Sequence, residues 1–115
     1  VTEAELQASV IELAHLLKWK CAHFRPAMNS HGRWQTAVQG DGVGFPDCVL
    51  VRDRVVFCEL KAHKGRLSDA QSVWLDELEL AGVETHVWRP QDWTDGTIER
   101  VLRTQHFSTY FNFNG

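Results

Sequence analysis

The stretch Gly44-Phe45-Pro46-Asp47-Cys48-Val49-Leu50-Val51, then Arg52-Asp53-Arg54, then Val55-Val56-Phe57-Cys58-Glu59-Leu60-Lys61, decides how this chain folds. Two runs rich in β-branched and aromatic residues flank three polar ones, the pattern of a β-hairpin with a short loop. A turn centred on Asp53 pairs Asp47 with Glu59 and Cys48 with Cys58. Opposite residues on antiparallel strands have Cβ atoms about 4.5–5.5 Å apart. Side chains alternate along a strand, so Lys61 emerges on the face of Glu59, one step further on, and the two cysteines on the other face. The hairpin is expected to gather two carboxylates and an ammonium on one patch.

Like charges opposed on a sheet are destabilising, and a divalent cation neutralises them. Carboxylate oxygens with water are the ligand set of Mg²⁺ or Mn²⁺. Asp47 and Glu59 are therefore candidate metal ligands, and Lys61 a candidate donor to a bound water or a substrate phosphate. The competing reading is a surface hairpin with solvated charges. Register separates the two, because a slip of one residue would send Asp47 and Glu59 to opposite faces.

Working outward, Thr2-Glu3-Ala4-Glu5 is a capping box, and Leu6, Val10, Leu13 and Leu17 recur at helical spacing. This predicts an amphipathic helix over residues 3–18, in which Glu3 and Glu5 suit the first turn by the helix dipole alone. Trp19 to Phe24 reads as a strand. Residues 25–44, with Pro26, Gly32, Gly40, Gly42 and Gly44, predict a long irregular segment bordering a substrate cleft. Its Arg25, His31 and Arg33 are candidate phosphate contacts, or simply solvated side chains.

Beyond Lys61, the basic turn His63-Lys64-Gly65-Arg66 is expected to be flexible. Ser68-Asp69-Ala70-Gln71 is a second capping box, opening a helix with Trp74, Leu75 and Leu78 as its buried stripe and Gly82 just past its end. Gln71 is fully explained as the N3 partner of Ser68. Val83 to Trp88 predicts a strand, parallel to an earlier one because a helix crosses between them, and Pro90 closes it. Asp92-Trp93 and Ile98 to Leu102 suggest a last short helix. The tail from His106 to Gly115 carries three Phe and one Tyr, which suits packing on the domain or on a second subunit.

With 115 residues, 43% hydrophobic and 23% charged, the composition fits one small globular domain with a real core. No apolar run approaches the roughly 20 residues that span a bilayer, and no basic-then-apolar leader opens the chain. Cytoplasm is the expected compartment. Three cysteines without a CxxC suggest neither a disulfide framework nor a zinc site. The net charge of −3 argues mildly against generic binding to nucleic acid. Its distribution offsets this. His23, Arg25, His31, Arg33, Arg52, Arg54, Lys61, His63, Lys64 and Arg66 gather around the hairpin and its approaches, while Asp76, Glu77, Glu79 and Glu84 fall later.

Pro46-Asp47, a spacer and Glu59-Leu60-Lys61 resemble the signature of the PD-(D/E)XK nucleases. The continuation Lys64-Gly65-Arg66-Leu67-Ser68-Asp69-Ala70-Gln71-Ser72-Val73-Trp74, with Leu78, Ala81-Gly82 and Val87-Trp88-Arg89-Pro90, resembles the VRR-NUC branch, which includes small phage and bacterial nucleases. The likeness runs from about Glu3 to Trp93. It implies an α/β fold with a restriction-endonuclease-like αβββαβ core, a mixed sheet flanked by helices. The whole of 1–115 would then be one nuclease domain, with its core over about 3–93 and a C-terminal helix and aromatic tail over 94–115.

The resemblance further implies a deoxyribonuclease dependent on Mg²⁺ or Mn²⁺. Asp47, Glu59 and the carbonyl of Leu60 would be metal ligands. Lys61 would position or deprotonate the attacking water, or stabilise the transition state. Relatives carry a first-helix glutamate that reaches the metal, which here matches Glu3 best, ahead of Glu5 and Glu12, and a glutamine at the place of Gln71 that points toward the site. DNA would be the partner, with Arg25, His31, Arg33, Lys64 and Arg66 as contacts. Since no sequence-reading motif is present, structure-selective cleavage of branched DNA such as Holliday junctions or flaps is expected, with a homodimer as a further expectation. The alternatives are a non-cleaving DNA-binding module, a DNA exonuclease, or a phosphohydrolase of small nucleotides.

Overall fold

The computed structural model describes residues 1–24, 27, 28, 30–35 and 38–106. Its elements in order are α1 (Glu3–Leu16), β1 (Lys20–His23), β2 (Ala27–Met28), β3 (Trp34–Gln35), β4 (Cys48–Val51), β5 (Val55–Leu60), α2 (Asp69–Leu80), β6 (Glu84–Trp88), α3 (Pro90–Thr94) and α4 (Thr97–Arg103). β1, β4, β5 and β6 form one sheet in that order. β1 and β5 each run antiparallel to β4, and β6 runs parallel to β5. This is the mixed sheet flanked by helices that the sequence predicts.

The hairpin has the expected register: Cys48 faces Cys58, Val49 faces Phe57, Leu50 faces Val56 and Val51 faces Val55. Alternation then sorts the side chains. Cys48, Leu50, Val56, Cys58 and Leu60 are buried on one face against Leu6, Val10 and Ala14 of α1, and Trp19, Trp88, Ile98 and Leu102 complete that core. Cys48 and Cys58 are buried free thiols within it. The other face carries Phe57 and Glu59 toward α2, where Leu75 is buried and Trp74 and Leu78 are half-buried.

Local chemistry sets the helix ends. Thr2 Oγ1 accepts from the Glu5 amide at 3.1 Å, and Glu5 Oε1 accepts from the Thr2 amide at 3.3 Å. α1 stops at Leu16, two residues short of the predicted end, because Lys18 takes a left-handed φ of 74° and turns the chain into β1. α1 therefore runs back along β1, with its first turn toward the end of the sheet where β1 finishes and β4 begins.

Three expectations change. The segment read as wholly irregular contains the short β2–β3 ladder. The single last helix is two, because Gly96 with φ 84° breaks the chain between α3 and α4, and Pro90 opens α3 at its first turn, where a missing N–H costs nothing. Arg52 and Arg54 do not border the site. They sit at the hairpin tip, about 17 Å along β5 from Glu59.

There the two arginines serve the C-terminus of α4. Arg52 donates to the carbonyls of Leu17 (3.2 Å), Leu102 (3.0 Å) and Thr104 (2.8 Å). Arg54 donates to those of Val101 (3.0 Å) and Thr104 (2.9 Å). Both guanidiniums lie over the Trp19 ring, 4.4 and 5.1 Å from its centroid. They satisfy carbonyls that a helix end leaves open and complement its dipole. Among the described residues no helix is long and apolar enough to cross a membrane. Arg25 and the aromatic tail over 107–115 lie outside the described residues.

Candidate active site

Gly44-Phe45-Pro46 delivers Asp47 to the start of β4. Gly44 has φ 87°, and a Cβ on it would lie 2.5 Å from the carbonyl carbon of Ala70 and 2.7 Å from its Cβ. Only glycine allows this loop to press on the first turn of α2. Phe45 then meets Phe24 (5.8 Å between centroids), Phe57 (5.8 Å) and Trp74 (5.1 Å) edge to face, the arrangement aromatic quadrupoles favour. Trp74 Nε1 also donates to the Asp41 carbonyl at 2.9 Å. Loop, sheet and α2 are thereby locked together, and Gln71 follows Ala70 in the first turn of α2.

Asp47 and Glu59 are brought together on one face. The Asp47 amide donates to Glu59 Oε2 at 3.2 Å, and the Leu60 amide donates to Asp47 Oδ2 at 3.1 Å. Gln71 Nε2 donates to Glu59 Oε1 at 2.8 Å. At its other end, Gln71 Oε1 accepts from the Ser68 amide at 2.8 Å, while Ser68 Oγ accepts from the Gln71 amide at 3.1 Å. The capping role and the contact with the acid pair coexist in one side chain.

Glu59 is 2% exposed. Burial, the charge of Asp47 and a hydrogen bond between the two carboxyls push the Glu59 carboxyl up to about 8, with Lys61 pulling the other way. Among the described residues, no basic side chain forms an ion pair with either acid. Among the described residues the amide donor to the Asp47 side chain, that of Leu60, falls on Oδ2. Two adjoining hard oxygen groups without a positive partner fit Mg²⁺ or Mn²⁺, and the carbonyl of Leu60 lies between Glu59 and Lys61 in the chain.

Lys61 is half-buried just past β5, its amide donating to the Trp88 carbonyl at 3.0 Å. The turn that follows is fastened, not flexible. The Gly65 amide donates to the Ala62 carbonyl at 3.0 Å, and Arg89 Nη1 donates to the carbonyls of Ala62 (2.9 Å) and Gly65 (2.5 Å). His63 Nδ1 meets Gln91 Oε1 at 2.9 Å. Lys64 and Arg66 are exposed on this connection, as are His31 and Arg33 on theirs.

Glu3 is half-buried in the first turn of α1, and Glu5 is engaged in its own cap. Among the described residues no group of three His, Cys, Asp or Glu side chains converges, so Glu3 is not brought to the Asp47–Glu59 pair. Sequence reasoning missed the spacing role of Gly44, for which a glycine ahead of the Phe-Pro-Asp run was the available signal. It also missed the clamp by Arg89, which has no local signal because it depends on where β6 ends.

A buried carboxyl paired with a half-buried one, beside an ammonium, suits hydrolysis of a charged ester with metal assistance. In comparison with known proteins, residues 5–92 match the family model of the VRR-NUC domain. No curated protein and no solved structure matched the chain.

Proposed function

The chain belongs to the VRR-NUC domain family, a nuclease family of the restriction-endonuclease-like superfamily, and from that premise we propose that it is a structure-selective DNA endonuclease dependent on Mg²⁺ or Mn²⁺. The observation that carries this reading is the Asp47–Glu59 pair, hydrogen-bonded to Gln71 and two backbone amides and, among the described residues, to no basic side chain. Asp47, Glu59 and the Leu60 carbonyl would hold the cation. Bound there, it would lower the pKa of a water molecule and offset charge developing at phosphorus.

The protein groups divide the remaining work. Gln71, locked at one end by Ser68, fixes the plane of the Glu59 carboxylate. The Leu60 amide fixes that of Asp47. Lys61 orients the attacking water and places a positive charge beside the phosphate oxygens. Lys64, Arg66, His31 and Arg33 contact flanking phosphates. Such contacts carry affinity without sequence information, which favours selection by DNA shape, as at junctions and flaps. A homodimer would set two such sites on a two-fold branched substrate.

The test is incubation with plasmid, single-stranded and branched DNA in Mn²⁺ or EDTA. Cleavage is expected only with the cation and preferentially on branched DNA. Asp47→Ala and Lys61→Ala should abolish it while retaining most DNA affinity. Parent-like activity in either variant would refute the assignment.

A further inference from the structure

We propose that Arg89 is a positioning residue for Lys61, acting through the turn from Ala62 to Gly65; the proposal rests on the nuclease reading of the site. A lysine ammonium ends a flexible four-carbon stem, so a site that uses it needs something to hold the stem. Here the turn does so. The position a Cβ of Gly65 would take lies 3.6 Å from Lys61 Cδ, so the far end of the lysine stem lies beside residue 65.

Within the turn the Gly65 amide donates to the Ala62 carbonyl at 3.0 Å, and from outside it Gln91 Oε1 meets His63 Nδ1 at 2.9 Å. Arg89 braces the turn. Nη1 donates to the carbonyls of Ala62 and Gly65 at 2.9 and 2.5 Å, the two ends of the same turn. The brace is itself fixed: the Arg89 amide donates to Asp92 Oδ2 at 2.8 Å, and Pro90 follows at once. One residue earlier, the Trp88 carbonyl takes the Lys61 amide at 3.0 Å. The corner between β6 and α3 thus grips the lysine twice, by its backbone through residue 88 and by the wall of its side chain through residue 89. Both bonds leave the one nitrogen Nη1, whose two N–H groups are fixed in the guanidinium plane, whereas an ammonium rotates on a shorter flexible stem.

The experiment compares the parent with Arg89→Met, which keeps the apolar stem, and Arg89→Lys, which can keep one bond. At saturating branched DNA and Mn²⁺, Arg89→Met should lower kcat about 10- to 100-fold, the scale of a misplacement near 1 Å, with KM little changed. Arg89→Lys should fall between it and the parent. Amide exchange at Gly65 should accelerate in Arg89→Met. Acylation of the Lys61 ε-amine by a water-soluble succinimidyl ester, read by mass spectrometry, should change several-fold.

An unchanged kcat together with unchanged Lys61 acylation overturns the proposal even if Gly65 exchanges faster. So does a rise in KM with kcat intact, which would make the turn a mount for Lys64 and Arg66. If the parent itself cleaves no DNA, the nuclease reading fails, and the acylation and exchange rates still decide whether Arg89 places Lys61. Should Arg89→Met not fold, the same readings on Arg89→Lys decide.

Discussion

Replacing Glu59 by glutamine isolates the electrostatic cost of burying a carboxyl beside Asp47. The Glu59 carboxyl is raised from 4.5 to about 8 by burial and by Asp47. A folded-state pKa above the unfolded one means the folded chain holds this proton more tightly. The associated stability is complete below about pH 4.5 and is withdrawn as pH rises through about 8. A shift of that size is worth on the order of 4 kcal/mol at about 1.4 kcal/mol per unit, with the proton shared between the two acids. Domains have only about 5–15 kcal/mol in total.

In EDTA, therefore, the parent should lose on the order of 10–20 °C in Tm between pH 5 and 8.5, and Glu59→Gln should lose far less. The difference between the two profiles cancels the six histidines, which both proteins carry. Mn²⁺ bound at the pair would replace the proton, so its stabilisation should grow with pH over the same window, with proton release on binding visible by calorimetry in two buffers. Equal pH slopes for parent and Glu59→Gln would refute the reasoning. So would an Mn²⁺-induced Tm shift of the same size at pH 5.5 and pH 8.

Gly44→Ala should cost at least about 2 kcal/mol in urea unfolding, since it strains a φ of 87° and drives a methyl into the Ala70 backbone. Gln71→Ala should cost about 1–2 kcal/mol by opening the α2 cap. Gln71→Glu should restore the cap yet make the metal-free protein less stable at pH 8 and more responsive to Mn²⁺, both read as Tm. Arg52→Ala should lower stability by about 2–3 kcal/mol and leave cleavage per folded molecule unchanged. By contrast, Lys64→Ala or Arg66→Ala should reduce the salt slope of DNA binding by about 0.7–0.9 each, measured by anisotropy titration.

What was legible in the sequence was whatever rested on short-range periodicity. Two apolar runs around Arg52-Asp53-Arg54 suggested a turn centred on Asp53 with a one-residue slip as the alternative, and the observed pairs follow the centred register. The two capping boxes located the starts of α1 and α2. The Asp95-Gly96 turn was present as a stop signal, yet the surrounding apolar spacing masked it and merged α3 with α4. β2 and β3, two residues each, are too short to show a period. The roles of Arg52 and Arg54 depend on where the end of α4 arrives, some fifty residues downstream. Charge along the chain therefore grouped them with the wrong end of the hairpin. Glu3 could not be placed from sequence, because helix dipole and active site ask for the same residue at the same position.

The case for a cation at the hairpin is strengthened by a comparison within the molecule. The adjacent strands β5 and β6 carry two acids in partly or fully buried positions, Glu59 near one end and Glu84 near the other. Burial works against the Glu84 charge, yet hydrogen bonds from Arg54 and His86 outweigh it and hold that carboxyl below its ordinary range. Arg54 Nε reaches Glu84 Oε1 at 2.6 Å. The fold thus supplies an arginine where a partly buried acid is to be neutralised for good. At Glu59, among the described residues, it supplies instead an amide side chain, the Asp47 backbone amide and a second carboxyl, with the charge of Lys61 acting from outside hydrogen-bond reach. Neutral dipoles orient a carboxylate but do not cancel its charge, and in a buried site the shortfall of positive charge is costly. A structural hairpin would gain stability by replacing Glu59 with an apolar residue. Keeping it beside Asp47 makes physical sense if a mobile positive charge, brought by solvent together with the substrate, completes the site.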